Sequence, residues 1–160
     1  STQAAVPSLA AQPRDYLVNQ LKDFRGQIRV EAGSRGYMWG ISALLDDATI
    51  TGLSDYFAAQ PPAPGRAGDS ALAARGRSLY TQGVPARQVA ACSSCHGDAG
   101  EGGKVFPRLA GQQAAYVVAQ LKEFGTALRP HALVMRDKAA ALTEDEMRAL
   151  AEYVQSMPGR

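Results

Sequence analysis

The sequence predicts an all-α protein built from one helical module used twice, partial in its first copy and whole in its second. Three observations carry that prediction. Apolar residues recur at helical spacing along much of the chain. The chain repeats itself, and a Pro/Gly run separates the two copies. At an offset of 100, Leu9, Gln12, Tyr16, Gln20, Leu21, Phe24 and Arg29 recur as Leu109, Gln112, Tyr116, Gln120, Leu121, Phe124 and Arg129. At an offset of 97, Met38, Ala43, Leu45, Leu53 and Tyr56 recur as Met135, Ala140, Leu142, Leu150 and Tyr153. The change of offset places a three-residue length difference in the loop before each methionine.

Residues 8–60 answer to the back half of the second copy, and nothing before Ser8 answers to residues 69–106. The expected organisation is a partial lobe over 1–60, a Pro/Gly linker over 61–68 and a complete lobe over 69–160. In the first lobe, Tyr16, Leu17, Gln20, Leu21 and Phe24 mark a helix with Pro13 in its first turn. Gly33, Gly36 and Gly40 loosen a loop around Met38 and Trp39. A second helix, about Thr49 to Ala59, buries Ile50, Leu53, Tyr56 and Phe57 and takes Asp46 or Asp47 as its cap. Pro61-Pro62-Ala63-Pro64-Gly65 ends it as a stiff spacer.

The second lobe opens with a helix over Asp69–Tyr80, whose Leu72, Leu79 and Tyr80 face inward. Gly83 and Pro85 turn the chain toward Cys92-Ser93-Ser94-Cys95-His96. Two thiols three residues apart, followed at once by an imidazole, form the c-type haem attachment pattern. On one helical turn Cys92 and Cys95 face the same way, so both reach the vinyl groups of one porphyrin, and His96 supplies the proximal nitrogen to iron. The bland alternatives are weaker. A structural zinc site needs four N/S ligands, and only His131 remains after these three. A thioredoxin-like pair needs a βαβ context, and no strand pattern flanks the motif.

The run from Gly97 to Gly103 is a loop without the Lys-Ser/Thr of a phosphate cradle; its glycines let backbone pass close to a flat ring. A helix from about Gln112 to Phe124 follows. Thr143-Glu144-Asp145-Glu146 is a capping box that starts a last helix to about Ser156, burying Met147, Leu150, Ala151 and Val154. The loop between these two helices supplies the sixth iron ligand. Met135 is the leading candidate, since thioether is the usual partner of histidine; His131 and an open position are the alternatives. A core methionine filling a gap is the plain reading of Met135, but a methionine stands at that place in both copies. Met38, whose lobe lacks an attachment motif, is expected to pack with Trp39 at the lobe interface.

Net charge is +2 with 20% charged residues, which argues for no nucleic-acid groove and no polybasic anchor. No apolar run reaches the roughly 18–20 residues of a membrane span. The chain opens Ser1-Thr2-Gln3 without Met or a charged segment, so an export signal is expected to have been removed or left out.

The segment Ala91–Gly97, then Pro107-Arg108-Leu109-Ala110-Gly111-Gln112, then Met135, then Leu142-Thr143 through Tyr153, resembles class I cytochrome c. More narrowly it is similar to the tandem cytochrome c4 group and its single-domain c-553 relatives. The resemblance implies one covalent haem c in the complete lobe, a periplasmic location and single-electron transfer without acid, base or nucleophile. It implies that the Pro107 carbonyl accepts from the non-ligating nitrogen of His96, with Arg108, Tyr116 and Arg129 in the haem's surroundings. Redox protein partners would dock transiently at the haem edge near Cys92. Residues 1–60 would serve a dimer or a complex. The other classes are an electron-accepting subunit of a dehydrogenase or oxidase, and a peroxidatic or gas-binding haem.

Overall fold

The computed structural model describes residues 6–159; the expectation about the opening residues falls on 1–5, outside that range. Among the described residues every regular element is helical, with two isolated antiparallel bridges, Val84–Val89 and Gly103–Phe106. The first lobe holds α1 (Arg14–Arg25), a π-helical turn (Ser34–Met38) running into α2 (Trp39–Ala43), and α3 (Asp47–Ala58). The second holds α4 (Ser70–Gln82), a 3₁₀ turn (Pro85–Arg87), α5 (Ser93–His96), α6 (Ala114–Phe124), α7 (Leu133–Ala140) and α8 (Glu144–Ser156).

Helix starts follow local hydrogen-bonding chemistry. Asp46 caps α3 by accepting from the Thr49 amide at 2.7 Å, and Asp69 caps α4 through the amides of Ala71 and Leu72, each at 2.9 Å. The capping box is present: Glu146 N–H donates to Thr143 Oγ1 at 3.3 Å and Thr143 N–H to Glu146 Oε2 at 2.8 Å.

Three expectations need correction. Residues 34–43 are helical, not a loosened loop. Gly36 and Gly40 take no positive φ, and Trp39 Nε1 donates to the Arg29 carbonyl at 2.8 Å, which anchors the turn. Met38 is half-buried where the π-turn meets α2. Met135 lies within α7, not in an open loop. Tyr56 is 59% exposed, although expected to be buried with Ile50, Leu53 and Phe57; Ile50, fully buried, is the core residue of α3. The 61–68 segment lies against α8, with Arg66 N–H donating to the Gln155 carbonyl at 2.9 Å.

The core of the second lobe is Tyr80, Ala110, Leu150, Val154 and Met157, with Leu121, Ala139 and Met147 forming a second cluster. It depends on close approach of α4 to α8. A Cβ at Gly76 would overlap the carbonyl oxygen of Ala149, so a glycine is kept inside a helix despite its intrinsic cost. Gly76→Ala is accordingly expected to destabilise the protein by about 1–3 kcal/mol, because overpacking outweighs alanine's better propensity. Urea unfolding followed by far-UV circular dichroism measures it; an unchanged midpoint would contradict the contact.

The two lobes meet about a pseudo-two-fold arrangement inherited from the duplication. Gln20 accepts from Arg29 at 2.8 Å and Arg129 at 2.7 Å, and Gln120 accepts from Arg129 at 2.7 Å and Arg29 at 3.1 Å. The guanidinium of Arg29 lies 4.3 Å above the Phe24 ring, and that of Arg129 4.1 Å above Phe124. Gln12 bonds the main chain of Arg108 while Gln112 bonds that of Ser8. The symmetry breaks at one pair of positions. Glu31 forms a buried ion pair with Arg29, whereas His131, at the repeat-equivalent place, points its Nδ1 at Asp23 Oδ1 of the other lobe, 2.9 Å away.

Candidate haem-binding site

The attachment motif sits on a single helical turn. Cys92 precedes α5 with helical φ and ψ of −64° and −32°, so it and Cys95 occupy i and i+3 of one turn and share a side. Both are free thiols; Cys92 is half-buried and Cys95 exposed. Burial pushes the Cys92 thiol up to about 11, which keeps it protonated as a neutral thiol before any bond is made to it. Ser94 Oγ donates to the Ala91 carbonyl at 2.7 Å, and Tyr80 OH donates to the Gly97 carbonyl at 2.6 Å. The turn is thus fastened at both ends.

His96 follows on the same turn and is 5% exposed. Its Nδ1 lies 3.0 Å from the Pro107 carbonyl oxygen. A carbonyl only accepts, so Nδ1 carries the proton and Nε2 keeps its lone pair free. Burial lowers the imidazole's proton affinity, with the Pro107 carbonyl opposing it. The outcome is a neutral ring oriented by its second nitrogen, the state in which histidine binds a metal.

The glycine-rich loop brings Pro107 to that position. Gly102 has φ +72°, its N–H donates to the His96 carbonyl at 2.8 Å, and a Cβ there would sit 2.6 Å from the Arg108 amide nitrogen. The glycine therefore admits the close approach of the protein's own backbone. Phe106 faces the imidazole edge-on, with centroids 6.3 Å apart.

Of the other expected residues, Arg108 is buried at 6% exposure beside this loop, and its Nε has no hydrogen-bond partner. Met135 is half-buried on α7 against Leu121, Ala139 and Met147. Tyr116 and Arg129 lie at the interface between the lobes. Burial pushes the Tyr116 phenol up to about 12, with Tyr16 adding to the rise and Arg29 and Arg129 opposing it. Arg129 is 6% exposed, and its Nε too has no partner. His131 is on the surface, 62% exposed in its side chain, and engaged by Asp23.

A haem fits these residues. Two thiols on one turn, a buried neutral imidazole with its outer nitrogen already engaged, and a half-buried thioether form the appropriate donor set. The orphaned Nε atoms of Arg108 and Arg129 are buried donors of the kind that carboxylate arms satisfy. Val105, Phe106, Leu133 and Val134 stand 40% to 65% exposed on the segments next to His96 and Met135, apolar surface that a flat apolar ring would shelter.

Residues 73–158 match the cytochrome c family. The chain belongs to that family. A solved structure of cytochrome c4 from Acidithiobacillus ferrooxidans superposes with a TM-score of 0.91 at 38% identity, covering 98% of this chain and 92% of that one. The likeness to cytochrome c4 therefore extends through both lobes. Cytochrome c-552 of Acidithiobacillus ferridurans is 39% identical over 153 residues, 95% of this chain and 66% of that protein; the chain thus spans about two thirds of this relative's length. A thiosulfate dehydrogenase electron acceptor of Thiomonas intermedia is 34% identical over 161 residues, covering 97% of this chain and 72% of the relative. These relatives are electron-transfer cytochromes, and among the described residues no helix is long and apolar enough to cross a membrane.

Residue-by-residue reading missed the paired glutamines Gln12, Gln20, Gln112 and Gln120 as interface residues. Their signal was in the repeat itself: both members of each pair are buried or half-buried at equivalent places, which surface glutamines have no reason to be.

Proposed function

We propose that this chain is a periplasmic carrier of single electrons, holding one haem c through Cys92 and Cys95 with His96 and Met135 on the iron. The observation that carries this reading is the His96 Nδ1 to Pro107 contact, which gives the imidazole of a Cys-x-x-Cys-His motif one orientation and one tautomer. When bound, the haem supplies the reversible one-electron couple. The chain's residues do the rest. Cys92 and Cys95 would hold the ring, and His96 and Met135 would hold its iron, a set that suits electron transfer rather than substrate binding. The core cluster around Leu121 and Met147 excludes water from the Met135 side, and burial with thioether ligation favours the reduced state. Thioether attachment is made outside the bacterial cytoplasm, which supports the periplasmic assignment.

The test is a pyridine haemochrome assay beside intact mass on the purified protein. One haem per chain, a sharp-banded reduced spectrum and slow CO uptake are the expected results. A high-spin ferric spectrum would overturn the axial assignment, and two haems per chain would overturn the count. A second reading, the electron-accepting subunit of a dehydrogenase, is favoured by the Thiomonas intermedia relative. It predicts a stable complex with the dehydrogenase on gel filtration rather than a transient encounter.

A further inference from the structure

Helix α7 is weakly held by apolar packing. It is eight residues long, its leading residues Leu133 and Val134 are 57% and 65% exposed, and Ala132 before it offers no side-chain cap. Of its residues, only Met135 and Ala139 reach the Leu121–Met147 cluster. Such a helix is expected to be among the first parts of the molecule to open.

What fastens it is polar and comes from one place, the turn over 84–89. Arg87 Nη1 donates to the carbonyl of Ala141, the residue that ends α7, at 2.6 Å. Its Nη2 pairs with Glu146 on α8, a carboxylate with only 11% side-chain exposure. Lys138, inside α7, reaches back and donates to the Gln88 carbonyl at 2.9 Å. The turn is itself rigid. Val84 and Val89 exchange backbone hydrogen bonds at 2.8 and 3.2 Å, and Gln88 holds a left-handed φ of 58°. Four residues on, the same segment becomes Cys92.

We propose that the 84–89 turn is a clamp that sets the position of α7, so that Arg87 and Lys138 are positioning residues for the Met135 thioether. The inference rests on the reading of Met135 as axial ligand. It adds that the site's resistance to opening is governed by charge-assisted bonds from the attachment side of the fold, not by the packing of α7.

The experiment uses the haem-loaded protein. Arg87→Met keeps the aliphatic stem and removes the guanidinium that makes both bonds; Arg87→Lys keeps the charge. Losing a charge-assisted bond shifts a local opening equilibrium about tenfold. Arg87→Met is therefore expected to take up CO in the reduced form about tenfold faster. It should also lose the long-wavelength ferric band of the thioether–iron bond at a lower urea concentration than the one that unfolds the helices. Arg87→Lys should recover part of both effects. Lys122→Met, which breaks the exposed pair with Glu144 at 3.0 Å, should change neither. If Arg87→Met does not fold, Lys138→Met carries the same test with the α8 pair intact. CO uptake at the wild-type rate in both variants would overturn the clamp. A Met135→Ala protein that keeps the ferric band and slow CO uptake would instead overturn the ligand reading, leaving the clamp without its object.

Discussion

Changing Cys92 and Cys95 together to serine is expected to remove the covalent pigment entirely. These are the chain's only cysteines, so no other thiol can substitute. Serine keeps the size and the local turn, since α5 is fastened by Ser94, Tyr80 and Gly97 rather than by the sulfurs. The two single variants separate the roles. Cys92 is half-buried and Cys95 exposed, so Cys95→Ser should retain more singly attached haem than Cys92→Ser. The stability effect is as large as the spectral one. Without the ring, the apolar side chains at Phe106, Leu133 and Val134 face water, and each fully sheltered side chain of that size is worth about 1.5–3 kcal/mol. The double variant should therefore show reduced helix content and raised proteolysis of residues 97–140. Intact mass and haemochrome analysis give the first result, limited proteolysis the second. A coloured double variant at apo mass would mean that the ring is held by ligation alone.

How much of this was legible beforehand depends on which physical signal each part leaves in a sequence. The Cys92–His96 turn was legible because attachment chemistry fixes residue types at fixed spacing. The caps of α3 and α8 were legible because Asp46 and Thr143 act on amides three residues away. Residues 34–43 were not, since three glycines outweigh helical pattern in any local reading. There the deciding bond runs from the Trp39 indole back to the Arg29 carbonyl. The place of Arg129 and Tyr116 at the lobe interface was hidden for a related reason. Repeat matching says that two positions are equivalent, but not that the equivalent residues of the two copies meet. Nor could spacing show that Arg87 reaches Ala141 and Glu146, 54 and 59 residues away.

The same interface gives the second large effect. Arg29→Met is expected to cost about 3–5 kcal/mol, because it strands a buried carboxylate. Glu31 is 4% exposed and Arg29 5%; Arg29 Nε donates to Glu31 Oε1 at 2.8 Å, while Glu31 Oε2 has no partner at all. In the second copy the place of Glu31 is taken by His131, which has turned to Asp23. Glu31 is thus the near counter-charge for two stacked guanidiniums, and Arg129, buried and beside Arg29, is held below the usual arginine range. The pH dependence follows from the carboxylate. Burial alone would raise its pKa, but Arg29 and then Arg129 hold it below the ordinary value. A group lowered on folding contributes stability above the unfolded pKa, near 4.3, and loses it as pH falls through the folded value. In the wild type the unfolding free energy should decline on the acid side of about pH 4. In Arg29→Met the Glu31 contribution to that slope should change sign, since the stranded carboxylate gains by taking up a proton. Arg29→Met with Glu31→Gln should recover part of the loss, because it removes the stranded carboxylate while Arg129 still lacks its near counter-charge. Urea unfolding at pH 3.5 and pH 7 on the three proteins decides it. A double variant no more stable than Arg29→Met would show that the guanidinium acts through its glutamine and phenylalanine contacts instead.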